Sequence, residues 1–120
     1  MSKQIQLKIL NDFPRPFFGN TISDSVLSCF LEDAEMDFEG YLKEIEKAER
    51  GENAPTGFTG NQMDVDFYSN KAVIEALWFN EEGVNDGENF ATVEVSLSEA
   101  KQLLLDWKKA LEDWEKSKPA

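Results

Sequence analysis

The sequence predicts an α+β fold, with helices packed mainly on one face of an antiparallel sheet. Apolar and polar residues alternate in four short segments, which is the period of strands, and apolar residues recur three and four positions apart in two longer segments, which is the period of helices. The chain of 120 residues is close to the commonest domain size. We therefore expect a single domain over residues 1–120, with about four strands and two main helices in the order β-α-β-β-β-α.

The first strand is predicted in QIQLKIL, where three apolar residues alternate with polar ones. The following segment, Phe13 to Asn20, contains Pro14 and Pro16, which remove backbone donors, so an irregular and partly extended connection is expected. Its three phenylalanines are Phe13, Phe17 and Phe18. They either tuck under the edge of the sheet or form an exposed aromatic patch for a partner.

The first helical pattern follows Ser23, Asp24 and Ser25, which offer N-cap oxygens, and Gly51 is a natural stop. Gly40 and a cluster of acidic residues weaken its middle, so one bent helix and two consecutive helices are both possible. The cluster consists of Glu32, Asp33, Glu35, Asp37 and Glu39. Because these carboxylates lie outside the apolar stripe, we expect them to face water.

The second half of the chain predicts three strands and a helix. GENAPTGFTGN is typical of a loop, QMDVDFY and AVIEALWF form a probable hairpin, and TVEVS gives the last strand after the acidic loop NEEGVNDGEN. Ser96 and Glu99 have the spacing of a capping box, which begins the second helix. Trp107 and Trp114 fall on its apolar stripe, so we expect both to pack in the core.

The chain is strongly acidic, with 24 Asp and Glu against 12 Lys and Arg, no His, and a net charge of -12. This balance disfavours binding to nucleic acid or to anionic membranes. The acidity is concentrated between Asp24 and Glu52 and again between Glu81 and Glu88, which indicates a directed negative face. A solvated acidic surface without a partner is the alternative.

No stretch approaches the roughly 18 consecutive apolar residues of a membrane span, and the start of the chain lacks the apolar core of a signal peptide. We therefore expect a cytoplasmic protein. The single cysteine, Cys29, cannot form an internal disulfide, and its apolar neighbours predict a buried structural thiol.

The composition removes most catalytic and metal-binding classes. Without His, nucleophiles activated by His and histidine metal sites are excluded, and one cysteine is too few for a cysteine zinc site. Carboxylate pairs such as Asp64 with Asp66 or Glu81 with Glu82 remain formally possible, but Asp64 and Asp66 are expected on the solvated face of a strand. The acidic loop does not match the spacing of a calcium site. We expect no enzyme activity, no cofactor and no metal.

The order of segments from Phe30 to Trp114 resembles the small bacterial immunity proteins of contact-dependent growth inhibition and related polymorphic toxin systems. The segments that carry the resemblance are FLEDAEMDFEGYLKEIEKAERGE, GNQMDVDFYSNKAVIEALWF and VEVSLSEAKQLLLDWKKALEDW. The resemblance implies a cytoplasmic protein that binds and neutralises one cognate toxin domain, often a nuclease, without a cofactor. FPRPFFGN has no counterpart in this resemblance, and no contact residue can be carried over from it.

Charge and expected exposure alone therefore select the candidate binding residues. They are Glu32, Asp33, Glu35, Asp37, Glu39, Glu81, Glu82, Asp86 and Glu88, with Phe79 as an apolar anchor. The expected partner is a basic toxin domain, whose phosphate-binding cleft the carboxylates would occlude. Two alternatives remain: a cytoplasmic adaptor or regulatory protein of unknown partner, and a hydrolase that uses paired carboxylates.

Overall fold

The computed structural model describes residues 6–10, 13–19, 21–51, 56–59, 63–80 and 90–117. The elements in chain order are β1 (Gln6–Leu10), β2 (Phe13–Phe17), α1 (Ile22–Ala34), α2 (Phe38–Glu49), β3 (Thr56–Thr59), β4 (Met63–Phe67), β5 (Lys71–Asn80), β6 (Phe90–Ser96) and α3 (Leu97–Ser117). The predicted α+β class with an antiparallel sheet is confirmed.

The strands form two antiparallel sheets, one of four strands in the order β3-β4-β5-β6 and one of two strands, β1 and β2. The four-stranded sheet corrects the sequence expectation in one respect. The first predicted strand, β1, pairs with β2, whereas the fourth member of the larger sheet is β3, which lies in the segment expected to be a loop. Pairing of Thr56–Thr59 with the next strand, Met63–Phe67, overrides the weak strand propensity of a segment rich in Gly and Pro.

The expected irregular connection after β1 is instead strand β2, despite its two prolines. Pro14 and Pro16 lie two positions apart, so both fall on the same parity of the strand, opposite Ile9 and Leu7 of β1. An antiparallel ladder needs donors only at alternate positions, and these can come from the residues between the prolines. Among the described strands, β2 pairs only with β1, so it tolerates the missing donors.

The first helical region is two helices, which decides between the two possibilities left open by the sequence. Helix α1 begins earlier than predicted, because its N-cap is Thr21 and not one of Ser23, Asp24 and Ser25. Asp24 lies at position N3 and completes a capping box with Thr21. Asp37 caps α2 by accepting a hydrogen bond from the Gly40 amide at 3.0 Å. A side chain at Gly40 would collide with the Asp37 carboxylate, so glycine there permits the cap.

The other helix boundaries follow the sequence. Helix α2 ends at Glu49, and Gly51 takes a positive φ of 75°, the left-handed conformation common after a helix end. At the start of α3, the Ser96 hydroxyl accepts a hydrogen bond from the Glu99 amide at 3.0 Å. This bond is the serine half of the predicted capping box.

The core lies between one face of the four-stranded sheet and the three helices. Inward-facing positions on β4 and β5 are fully buried, and they are Met63, Val65, Phe67, Ala72, Ile74 and Ala76. Trp107 on α3 is also completely buried, as predicted, whereas Trp114 near the end of α3 is only half-buried. Within the part of the chain that the structure describes, the helices pack on this face, and the outward positions of β4–β6 are exposed or half-buried.

Candidate partner-binding surface

The last turns of α1 carry two of the predicted acidic residues to the rim of a concave site. Glu32 and Glu35 line it together with Phe13, Pro14 and Arg15 from β2, and its volume is about 230 Å³. The Arg15 guanidinium donates a hydrogen bond to the Glu32 carboxylate and forms an ion pair with it. We call this site the hairpin groove. Sequence reasoning identified the two carboxylates but not the arginine that the β1–β2 hairpin brings to them.

Glu35 is exposed as a residue, but its carboxylate is held against the core. The Trp107 indole N–H donates a hydrogen bond to this carboxylate at 3.2 Å, across 72 positions of sequence. Partial burial raises the pKa of Glu35, and the negative charge of Glu32 acts in the same direction; the Trp107 hydrogen bond and the charge of Arg15 act against it. The Glu35 carboxylate is therefore a partly desolvated charge at the protein surface.

Asp33 does not face water, and the expectation that it would is wrong. Only 5% of its surface is exposed, and its carboxylate accepts a hydrogen bond from the backbone N–H of Met63 at 2.8 Å. That N–H belongs to the first residue of β4, so the bond joins α1 to the sheet. Asp33 lies on the side of α1 that faces the sheet because its carboxylate satisfies a buried donor there.

Asp37 and Glu39 lie at the start of α2 and are both exposed. The Asp37 carboxylate accepts the hydrogen bond that caps α2. Glu39 lies in the first turn of α2, where a negative charge interacts favourably with the helix dipole. Among the five acidic residues of this region, Glu32, Glu35, Asp37 and Glu39 thus reach the surface and Asp33 does not.

The remaining predicted contacts belong to the end of β5 and the acidic segment that follows it in the sequence. The backbone of Phe79 lies in β5, but its side chain is outside the described part of the structure. Glu81, Glu82, Asp86 and Glu88 also lie outside the described residues. Their predicted roles stay predictions.

The outward face of the four-stranded sheet is a second acidic surface, which we call the open sheet face. Its acidic residues are Asp64, Asp66, Glu75 and Glu94. Asp64 lies directly opposite Glu75, so two residues of like charge face each other across the strands. Lys71 is the basic residue among those that the structure describes on this face, and its Nζ atom lies 2.8 Å from Oε1 of Glu94. Sequence reasoning placed Asp64 and Asp66 on a solvated face, but strand register was needed to bring Glu75 and Glu94 beside them.

Several large apolar side chains are exposed near these surfaces. Phe13 at the hairpin groove is 65% exposed, and Met36, which follows Glu35, is 73% exposed. Leu77 is exposed on the outward parity of β5. Phe13 therefore does not tuck under the sheet edge, whereas Phe17 and Phe18 are half-buried, and a role of Phe13 in binding a partner stays a prediction.

Cys29 on α1 is half-buried and packs against the core. Burial raises the pKa of its thiol to about 12, and the nearby charges of Glu32 and Asp33 add to the increase. These properties agree with the structural thiol predicted from the sequence.

A second concave site of about 330 Å³ lies between the β4–β5 turn and the start of α3. Its lining comprises Glu49, Ser69, Asn70, Ser96, Leu97 and Ser98. A single carboxylate among neutral groups gives this site no acid and base pair.

No family model, curated protein or solved structure matches this chain. In the described ranges, no three Cys, Asp or Glu side chains are grouped so that they could hold a metal ion. None of the described helices combines the length and apolar character needed to cross a membrane.

Proposed function

We propose that this protein binds a basic protein partner and that the partner is a bacterial toxin domain, which it neutralises as an immunity protein. The observation that carries the proposal is the net charge of -12 together with carboxylates on two exposed surfaces, the hairpin groove with its neighbouring turns and the open sheet face. The resemblance of the segments from Phe30 to Trp114 to immunity proteins of contact-dependent growth inhibition supports the toxin as partner.

Like charges lie close together on both surfaces. Asp64 faces Glu75 across two strands, and Glu32 and Glu35 are one helical turn apart. Such groups of carboxylates favour a partner of opposite charge. An acidic surface also steers a basic partner and raises association rates by about 10- to 1,000-fold at low salt.

The proposed mechanism is occlusion without chemistry by this chain. A nuclease toxin carries a basic cleft for phosphates, and an acidic protein seated over that cleft excludes the nucleic acid. The protein would act in the cytoplasm, with no cofactor, and would contact neither nucleic acid nor membrane. Exposed apolar side chains beside the carboxylates would supply most of the affinity, since charges mainly set rate and specificity.

Co-expression in bacteria with the toxin domain encoded beside this gene tests the proposal. Cells should survive induction of the toxin, and the two proteins should co-purify. Failure of both rescue and complex formation would reject toxin neutralisation and favour the adaptor alternative. Rescue that survives alanine at Asp64, Asp66, Glu81 and Glu82 would exclude a hydrolase that uses these carboxylates, whereas rescue that disappears while the complex persists would indicate one.

Charge reversal then locates the interface. Asp66→Lys and Glu75→Lys change two exposed positions of the open sheet face, while Glu112→Lys on α3 is a matched change on another exposed surface. If the open sheet face meets the toxin, the first two substitutions should weaken binding more than the control does.

A further inference from the structure

The hairpin groove is too small for a typical ligand but large enough for one side chain. Its volume of about 230 Å³ is below the roughly 300–1,000 Å³ of small-molecule sites, and it is several times the roughly 30 Å³ of a water molecule. Its lining comes from two elements, β2 and the end of α1, so its shape is fixed by packing of the hairpin on the helix.

The charges of the described residues that line the groove are unbalanced. Two of these residues, Glu32 and Glu35, are carboxylates, and one, Arg15, is basic. Arg15 is engaged by Glu32, which is only 17% exposed in its side chain, so the excess negative charge lies on the Glu35 side. The Arg15–Glu32 pair also demonstrates that a guanidinium fits against the carboxylates of this groove.

The apolar part of the lining suits the same ligand. The Phe13 ring is 65% exposed, and a cation above an aromatic face is attracted by its quadrupole. A guanidinium is planar and weakly hydrated, so it stacks on aromatic rings more readily than an ammonium does.

We infer that the hairpin groove receives an arginine side chain of the partner protein, stacked on Phe13 and hydrogen-bonded to the Glu35 carboxylate. This inference rests on the proposed function, because it specifies how the basic partner is held. Arg15 and Glu32 keep their ion pair and form one wall of the groove. The partial desolvation of Glu35 strengthens its attraction for the incoming guanidinium, since charges interact more strongly where water is displaced.

The first test needs no toxin, because Trp107 reports on Glu35. N-acetyl-arginine amide is titrated into the ¹⁵N-labelled protein while the indole N–H signals of the tryptophans are followed by NMR. The Trp107 signal should shift with saturation, because its hydrogen-bond acceptor engages the ligand, and the Trp114 signal should not. The neutral isostere N-acetyl-citrulline amide should leave both signals unchanged. An unmoved Trp107 signal, or an equal response to both compounds, would overturn the inference.

Two substitutions test the groove residues. Glu35→Gln removes the charge but keeps an oxygen that can accept the Trp107 hydrogen bond, and Phe13→Ala removes the aromatic ring. Each substitution should weaken binding of N-acetyl-arginine amide by about two- to fivefold. Glu112→Gln, at an exposed position of α3, is the control for Glu35→Gln, and Leu105→Ala, which shortens another exposed apolar side chain of α3, is the control for Phe13→Ala. Both controls should leave binding unchanged. Equal effects of groove and control variants would contradict the inference.

The same variants, measured against the neighbouring toxin domain, separate the two proposals. If the wild-type protein does not bind the toxin, the proposed function fails, whatever the titration gives. If wild type binds and the groove variants bind as tightly as the α3 controls, toxin binding stands and the groove is not its arginine site.

Discussion

Replacing Asp33 with alanine tests whether this buried carboxylate joins α1 to the sheet. The substitution removes the acceptor for the Met63 N–H, which lies at 2.8 Å, and leaves that donor buried. Loss of a hydrogen bond to a charged group costs about 1.5–3 kcal/mol in the free energy of unfolding. At about 4 °C per kcal/mol for a domain of this size, the melting temperature should fall by roughly 6–12 °C.

Urea denaturation followed by tryptophan fluorescence measures this loss. Asp33→Asn keeps an oxygen acceptor at the same place, so its cost should be smaller than that of Asp33→Ala. Glu46→Ala, at an exposed position of α2, is the control and should change the free energy of unfolding by less than about 0.5 kcal/mol. If Asp33→Ala were no more destabilising than Glu46→Ala, the inference that the Asp33 carboxylate stabilises the packing of α1 on the sheet would be refuted.

Three further predictions concern ionisation and capping. Partial burial raises the pKa of Glu35 in the folded state, so ionisation of this carboxyl opposes folding. Glu35→Gln should therefore have a larger free energy of unfolding than wild type at pH 7. The difference should disappear below pH 4.5, the ordinary pKa of a glutamate, where Glu35 is protonated in both states. Denaturation curves at several pH values check this, and a less stable variant at pH 7 would contradict it. With a pKa of about 12, only about one Cys29 thiol in ten thousand is ionised at pH 8, so labelling by a disulfide reagent should be far slower in the folded protein than in urea; equal rates would exclude a protected thiol. Alanine in place of glycine usually stabilises a helix by roughly 1 kcal/mol, but Gly40→Ala should give no such gain in the free energy of unfolding, because the added Cβ displaces the Asp37 cap. Thermal denaturation measures this, and the full gain would show that the cap contributes little.

The sequence predicts those elements whose periodicity reflects burial on one face. In β4 and β5, the alternation that places Val65 and Ile74 inward is the same alternation that the core requires, so both strands are confirmed. Trp107 is likewise fixed by the apolar stripe of α3. The helix end at Gly51 follows from local backbone chemistry, which needs no knowledge of tertiary structure.

The features that the sequence misses depend on pairing partners that the local residue pattern does not reveal. Strand β2 reads as irregular because Pro14 and Pro16 lack donors, and only pairing with β1 shows that those donors are not needed. The position of Asp33 depends in the same way on Met63, 30 positions away, whose buried N–H requires an acceptor. A count of acidic residues along a helix cannot distinguish a carboxylate that satisfies the core from one that faces water.

The candidate surface shows the same division. Local charge density identifies Glu32 and Glu35, but their grouping with Phe13 and Arg15 arises from the hairpin packed on α1. The open sheet face needs strand register to place Glu75 beside Asp64. The binding roles of Phe79, Glu81, Glu82, Asp86 and Glu88 remain predictions from the sequence.

Steering by the acidic surfaces is tested by the association rate constant with the neighbouring toxin domain, measured by stopped-flow fluorescence at ionic strengths of about 0.01 M and 0.15 M. Between these conditions the Debye length falls from about 30 Å to about 8 Å, so steering by exposed carboxylates is largely screened. An acidic binding surface predicts that the rate constant falls at least about tenfold. A rate constant unaffected by salt would contradict it, as would the absence of binding.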